Sequence, residues 1–223
     1  MELQVVERTN AERAKINLPP LKFQADLHAA ARWLAEDMAQ KDYFDHTDRQ
    51  GRSIDKRLPD YGYTDYRAIA ENIAAGMRTP EAAVKGWLKS PGHRANMLSK
   101  HYREIGVGYA FDSKSKYQRY WVQDFGTRHE VFPVVIEREA TRVTKPQVRL
   151  YVYGEGWAEA MRLSHDGKTW TAWQPYQAEC DWTLQEGKGV RTVYVELRRQ
   201  REIRRAQDDV ELMPAPESKE KPD

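Results

Sequence analysis

Residues 70–98 read Ala70-Glu71-Asn72-Ile73-Ala74-Ala75-Gly76-Met77-Arg78-Thr79-Pro80-Glu81-Ala82-Ala83-Val84-Lys85-Gly86-Trp87-Leu88-Lys89-Ser90-Pro91-Gly92-His93-Arg94-Ala95-Asn96-Met97-Leu98. Thr79 ahead of Pro80 marks a helix start, because a hydroxyl at the N-cap and a proline at the first position both suit unpaired amide donors. The helix is predicted over Pro80 to Lys89, with Ala83, Val84, Trp87 and Leu88 on one apolar face at a helical period. Ser90-Pro91-Gly92 should end it, since proline disfavours helical geometry in the residue before it. His93 is then expected on a turn, held by a helix that the tryptophan pins down. Ala95 to Leu98 is expected as a further short turn seating Met97 and Leu98. From residue types alone, the favoured account is structural: Glu71 as a surface acid and His93 as a turn residue bonded to backbone, because perturbed acids and histidines also occur in purely structural networks.

The order of further motifs shifts that balance. Tyr43-Phe44-Asp45-His46 comes first, then the stretch above, then Ile105-Gly106-Val107-Gly108-Tyr109 and Tyr120-Trp121-Val122-Gln123-Asp124-Phe125-Gly126. Over roughly residues 1 to 127 this series resembles the bacterial branch of the CAP superfamily, the cysteine-rich secretory, antigen 5 and pathogenesis-related proteins. The resemblance implies an α+β fold, an α-β-α sandwich with a cleft that holds two histidines and acidic residues. The matching positions are His46, Glu71 and His93, with Asn72 and Ser90 beside them in the expected ligand-binding cleft. Ser90 stands where many eukaryotic members carry a second glutamate. The chain also has neither their Gly-His-Tyr-Thr-Gln motif nor their disulfide cysteines, which leaves the second acidic position unassigned.

Outward from the motifs, the chain reads as an ordinary soluble composition. Of 223 residues, 40% are hydrophobic and 31% charged, and the formal net charge is +2. Residues 1–127 hold 20 Lys+Arg against 17 Asp+Glu, and the rest 16 against 17, so no nucleic-acid partner is expected, because that function concentrates a basic excess on one face. The single cysteine, Cys180, excludes an intrachain disulfide and a cysteine-based metal site. It is expected as a small buried apolar group. No stretch approaches the ~18 apolar residues that read as a membrane span, and no signal peptide is visible. Since Met1 leads almost directly into a helix, the expectation is an extracellular or cell-surface protein whose export signal has been removed.

A first helix is expected over residues 2–15, with Leu3, Val6, Asn10 and Arg13 along one side. Asn10 and Arg13 are read as capping or salt-bridging residues. Pro19-Pro20-Leu21 forms an extended link. A second helix, Asp26 to Lys41, places Leu27, Ala30, Ala31, Leu34 and Met38 on one core-facing stripe, with His28 off the stripe and exposed. Tyr43 and Phe44 anchor the loop that carries His46, and a short helix is expected near Ser53 to Leu58. Tyr61, Tyr63 and Tyr66 are read equally as cleft rim or as packing. Ile105 to Phe111 alternates with glycine, as a strand does where another element approaches closely. It is paired with Tyr120–Phe125 in an antiparallel sheet between helix layers, one core.

From about Val131 the helical period disappears. Strands are expected near 132–138, 147–153, 158–164, 169–173, 179–184, 190–198 and 209–213, the spacing of a β-sandwich. Asp166-Gly167 is the hairpin turn between Leu163 and Trp170, because glycine tolerates positive φ. The run Leu163–Tyr176, with Trp182 and Val190–Val195, resembles immunoglobulin-like modules of bacterial surface and secreted proteins. The expected organisation is thus a CAP domain over 1–128, an all-β immunoglobulin-like sandwich over 129–214, and a disordered tail over 215–223. Trp170, Trp173, Trp182 and Tyr176 are read as sandwich core in preference to a carbohydrate-stacking platform, because alternate strand residues face inward.

Two imidazoles and a carboxylate, His46, His93 and Glu71, have the donor set of a three-ligand zinc site with water in fourth place. The three are 25 and 22 residues apart, so no short ligand-spacing motif supports zinc. A hydrogen-bonded network of the same trio is the other account. No activated nucleophile is visible: Ser90 also reads as the residue closing a helix, and Cys180 has no neighbouring histidine in sequence. The preferred function is an extracellular binding protein whose cleft takes a metal ion, a small ligand, a lipid or a cell-envelope component, with the sandwich as spacer or attachment module. The alternative is a metal-dependent, peptidase-like hydrolase of peptide or envelope material.

Overall fold

The computed structural model describes residues 1–213; the tail expected over 215–223 lies outside them. The chain divides into two compact units, Met1–Val131 and Phe132–Asp223.

In the first unit, α1 (Glu2–Ala14), β1 (Lys22–Phe23), α2 (Ala25–Gln40), α3 (Ile54–Arg57), a 3-10 turn at Leu58–Tyr61, β2 (Tyr66–Ala75), α4 (Pro80–Lys89), α5 (Pro91–Met97), β3 (Glu104–Phe111) and β4 (Arg119–Arg128) follow in order. The sheet runs β1-β3-β4-β2, so β2 is an edge strand. Its pairs are antiparallel except β1 with β3, a parallel pair not foreseen in the sequence.

Local chemistry explains the helices. Gln24 caps α2 by accepting from the Leu27 amide, and Thr79 caps α4 by accepting from that of Ala82, each satisfying a donor that a helix start leaves open. The expected stripe of α2 is fully buried. It packs on one sheet face, where Ala31, Leu34, Ala35 and Met38 meet Ile73, Tyr120 and Val122. On the other face, Val5, Val6, Ala83, Val84 and Trp87 meet Ile105, Val107, Trp121 and Phe125. Gly106 and Gly108 let α2 lie directly on β3: a Cβ at Gly106 would sit 2.2 Å from the His28 backbone nitrogen, and one at Gly108 2.3 Å from the Ala31 carbonyl. His28 is consequently half-buried rather than exposed, its Nδ1 2.6 Å from the Val107 carbonyl oxygen.

Other expectations change. Asn10 exchanges hydrogen bonds with the Leu21 backbone. The Arg13 guanidinium donates to the carbonyls of Pro19, Met97 and Ser99, so both residues tie chain segments together, while Leu3 stays exposed. Tyr63 is core: it is fully buried and donates to Glu104.

Among the described residues of the second unit there are strands and no helices: β5 (Val134–Ile136), β6 (Arg142–Val143), β7 (Gln147–Val152), β8 (Ala160–Ser164), β9 (Gln174–Pro175), β10 (Glu179–Thr183), β11 (Gly189–Arg199) and β12 (Glu202–Leu212). They form a three-stranded sheet, β10-β7-β5, and a five-stranded sheet, β6-β12-β11-β8-β9. One hydrophobic core draws on both, with Val134, Leu150 and Val152 from the first and Met161, Leu163, Val193, Val195 and Leu197 from the second. Cys180 is buried there. No strand forms over 169–173, where Trp170 makes a single bridge to Ser164. The last strand is longer than 209–213 and hairpins directly onto β11. The turn at Asp166-Gly167 forms with Gly167 at φ +69.

Candidate functional site

The first unit's polar site is built at the edge strand β2. Side chains alternate across a strand, and directly opposed residues of an antiparallel pair share a face. Glu71 lies opposite Asp124 of β4, and Asn72 opposite Gln123. Glu71 and Asp124 therefore belong to the α2 face, with Ile73 and Val122, while Asn72 and Gln123 belong to the face packed by α1, α4 and α5.

Glu71 is buried and its two oxygens are both committed. Oε1 lies 2.8 Å from His46 Nδ1, and Oε2 accepts from the buried Arg57 guanidinium. Arg57 also donates 2.8 Å hydrogen bonds to the carbonyls of His46 and Arg52. One side chain thus fixes the acid and the loop that carries the imidazole. His46 itself is exposed, and its hydrogen bond to Glu71, the largest cause, raises its pKa above that of an ordinary imidazole.

Asp124 lies beneath this pair, 1% exposed, with Oδ1 lacking a hydrogen-bond partner among the described residues. Burial, and then the negative charge of Glu71, push its carboxyl well above the usual range, and it hydrogen-bonds Glu71. Two adjacent carboxylates in a low dielectric do not both ionise readily, and of the pair it is Asp124 that burial and its neighbour shift toward the neutral form. Sequence reasoning missed Asp124 and Arg57. The available signal was an acid at an inward position inside the apolar run Tyr120–Phe125 and a basic residue on the buried side of a one-turn helix.

His93 arrives from the other side of β2. It is in a helix, not on the expected turn, because Ser90 is at once the C-cap of α4 and the N-cap of α5, and Pro91 opens α5 at its first position. The same segment removes the expected turn at Ala95–Leu98. His93 is half-buried, and burial first, then the charge of His46, lower its pKa. The two imidazoles are close enough to interact and are displaced in opposite directions.

The remaining expected cleft residues are held differently. Asn72 is fully buried, donating to the His93 carbonyl and to Gln123 and accepting from Asn96; it clamps α5 to the sheet. Ser90, half-exposed, joins the two helices, and no side-chain cap bond is made at the start of α5.

These side chains do not fit the three-ligand zinc site. Among the described residues no three His, Cys, Asp or Glu side chains converge as metal ligands, and Glu71 already satisfies a guanidinium and an imidazole.

The sequence model of the CAP, cysteine-rich secretory protein family matches residues 6–125. The chain belongs to the CAP family. Its CAP domain is 43% identical over 124 residues to the uncharacterized protein YkwD of Bacillus subtilis (strain 168), an overlap of 56% of this chain and 46% of YkwD. Among solved structures it is similar to an extracellular protein containing an SCP domain from Bacillus anthracis, at 30% identity and a TM-score of 0.51, over 57% of this chain and 40% of that one. An outer surface protein of Borrelia burgdorferi shares the fold at 22% identity and a TM-score of 0.50, over 56% of this chain and 90% of that one. The chain thus spans less than half the length of YkwD and of the B. anthracis protein. No described helix is long and apolar enough to cross a membrane.

Proposed function

We propose that the CAP domain is an extracellular binding domain that holds a small carboxylate-bearing ligand, such as a cell-envelope fragment, between His46 and His93. The observation that carries this reading is the saturation of Glu71: with its oxygens taken by His46 Nδ1 and Arg57, His46 is held by one ring nitrogen while its side chain stays 53% exposed. A raised pKa makes that ring a cation in mildly acidic conditions, while His93, with a lowered pKa, offers a neutral donor or acceptor beside it. Similarity to the extracellular SCP-domain protein of B. anthracis supports an extracellular setting. The second unit is read as an immunoglobulin-like spacer or attachment module, supported by two sheets closing on one core.

The test is an NMR titration of the full chain with muramyl dipeptide at pH 6.5. The expected result is a shift of both histidine ring signals, lost in His46→Ala. Unmoved rings would overturn the proposal. A parallel zinc titration serves as the second arm. Micromolar zinc binding that vanishes in the His46→Ala/His93→Ala double variant would replace this reading with a metal site.

Hydrolysis is the second reading. It is favoured by the opposite displacement of the two imidazoles, since paired groups with separated pKa values are the arrangement of acid and base. It requires turnover of a peptide or envelope substrate that is lost in both single histidine variants.

A further inference from the structure

The four aromatic residues between 170 and 182 separate into two groups. Tyr176 and Trp182 pack against the core of the second unit, and the Tyr176 hydroxyl donates to the Val152 carbonyl. Trp170 and Trp173 lie over the opposite, outward face of the five-stranded sheet. Val193, Val195 and Leu197 of β11 point into the core, so Tyr194, Glu196 and Arg198 point out. The ladder sets Arg198 between Ala160 and Ile203, Glu196 between Arg162 and Arg205, and Tyr194 between Ser164 and Gln207.

Those three rows carry three arginines and one acid. Glu196 is fully buried and binds Arg162 and Arg205 at 2.6 and 2.7 Å. Arg162 stacks over Trp170 and Trp173, at 5.1 and 4.6 Å from the ring centroids, and Arg198 over Trp173 at 4.4 Å. No carboxylate is paired with Arg198 or Lys168 among the described ion pairs. Beside the rows is a cavity of about 410 Å³ walled by Lys168, Trp170, Tyr194, Arg205, Gln207 and Asp166. The one acid in that wall is turned inward on its own loop, accepting from the amides of Lys168 and Thr169 and from the Ser164 hydroxyl.

We propose that this outward face binds an acidic polysaccharide, one whose sugar rings carry carboxylates. Guanidinium and ammonium groups left without a carboxylate supply the charge complement. Trp170 and Tyr194 supply apolar ring surface with a polar edge, which fits a sugar ring and gains nothing from a ringless polyanion. This rests on the attachment role proposed for the second unit and gives it a ligand class, while the histidine ring signals of the first unit report on the other proposal separately.

The experiment is affinity electrophoresis of the full chain through gels containing polygalacturonate, dextran or polyphosphate. The expected result is retardation by polygalacturonate alone, with the dissociation constant rising at least tenfold in Arg198→Glu and in Lys168→Glu, each with unchanged thermal unfolding. Trp170→Leu should weaken binding while keeping the far-UV circular dichroism of the parent. Absence of retardation by polygalacturonate, equal retardation by polyphosphate, or folded charge variants that bind like the parent would each overturn the proposal.

Discussion

Glu71 and Glu196 are both carboxylates buried on strands, one in each unit, and their neighbours neutralise them by different means. Glu196 has two arginines, at 2.6 and 2.7 Å, and guanidinium groups stay charged at any working pH. Glu71 has one arginine, one imidazole and a neighbouring buried acid whose pKa is pushed upward. The first arrangement is closed by two permanent cations. The second has His46, and it lies in the unit whose polar groups gather at an edge strand.

The largest effect is expected on removing the arginine on the Glu71 side. Arg57→Ala leaves a buried carboxylate without its permanent cation and should cost about 3–5 kcal/mol, read by denaturant unfolding. A loss under about 1 kcal/mol would mean that His46 and water suffice to hold Glu71, which would erase its contrast with Glu196. Glu196→Gln should cost less, about 1.5–3 kcal/mol, the range for hydrogen bonds to charged groups, because Arg205 is largely exposed and can be rehydrated.

A smaller effect tests the proton on Asp124. If that acid is neutral, Asp124→Asn replaces one neutral group by another of the same shape and should change stability at pH 7 by no more than about 1 kcal/mol. A loss of several kcal/mol would show that the carboxylate is charged and that Arg57 serves both acids.

The smallest effect is on the His46 titration. Its pKa is raised in the folded protein, so the pairing stabilises the fold fully below the ordinary value of 6.5 and is lost as pH rises through the raised value. Glu71→Gln should bring the His46 ring titration back toward 6.5, while the lowered value of His93 moves the opposite way or not at all. An unchanged His46 would remove Glu71 as the cause.

Much of the frame is legible in the sequence. The stripe of α2, the Thr79-Pro80 start of α4 and the glycine alternation of β3 are each signals within one or two turns or a few strand residues, where backbone and side-chain preferences act directly. The same kind of signal misled at Ser90-Pro91, because a proline that stops one helix also suits the first turn of the next. The backbone of Ser90, shared between two helices, and the hydrogen bond from Asn96 to Asn72 show that α5 follows and carries His93.

Local features could be read from the chain alone: where helices begin, which faces are apolar, where Asp166-Gly167 turns, and the ordered motifs that mark the CAP family. Which charges meet depended on the folded arrangement. Glu71 finds Asp124 through the antiparallel register of β2 with β4, and Arg57 through the loop and short helix packed over them. Trp170 and Trp173 part from Trp182 because the chain after Gly167 follows the edge of β8 without forming a regular strand over 169–173, and its two indoles fold against Arg162 and Arg198 of the outward face. These pairings rest on long-range register and on burial. A charge's pKa and partner are set by the dielectric and the neighbours that folding brings to it, and neither is encoded in the few residues on either side.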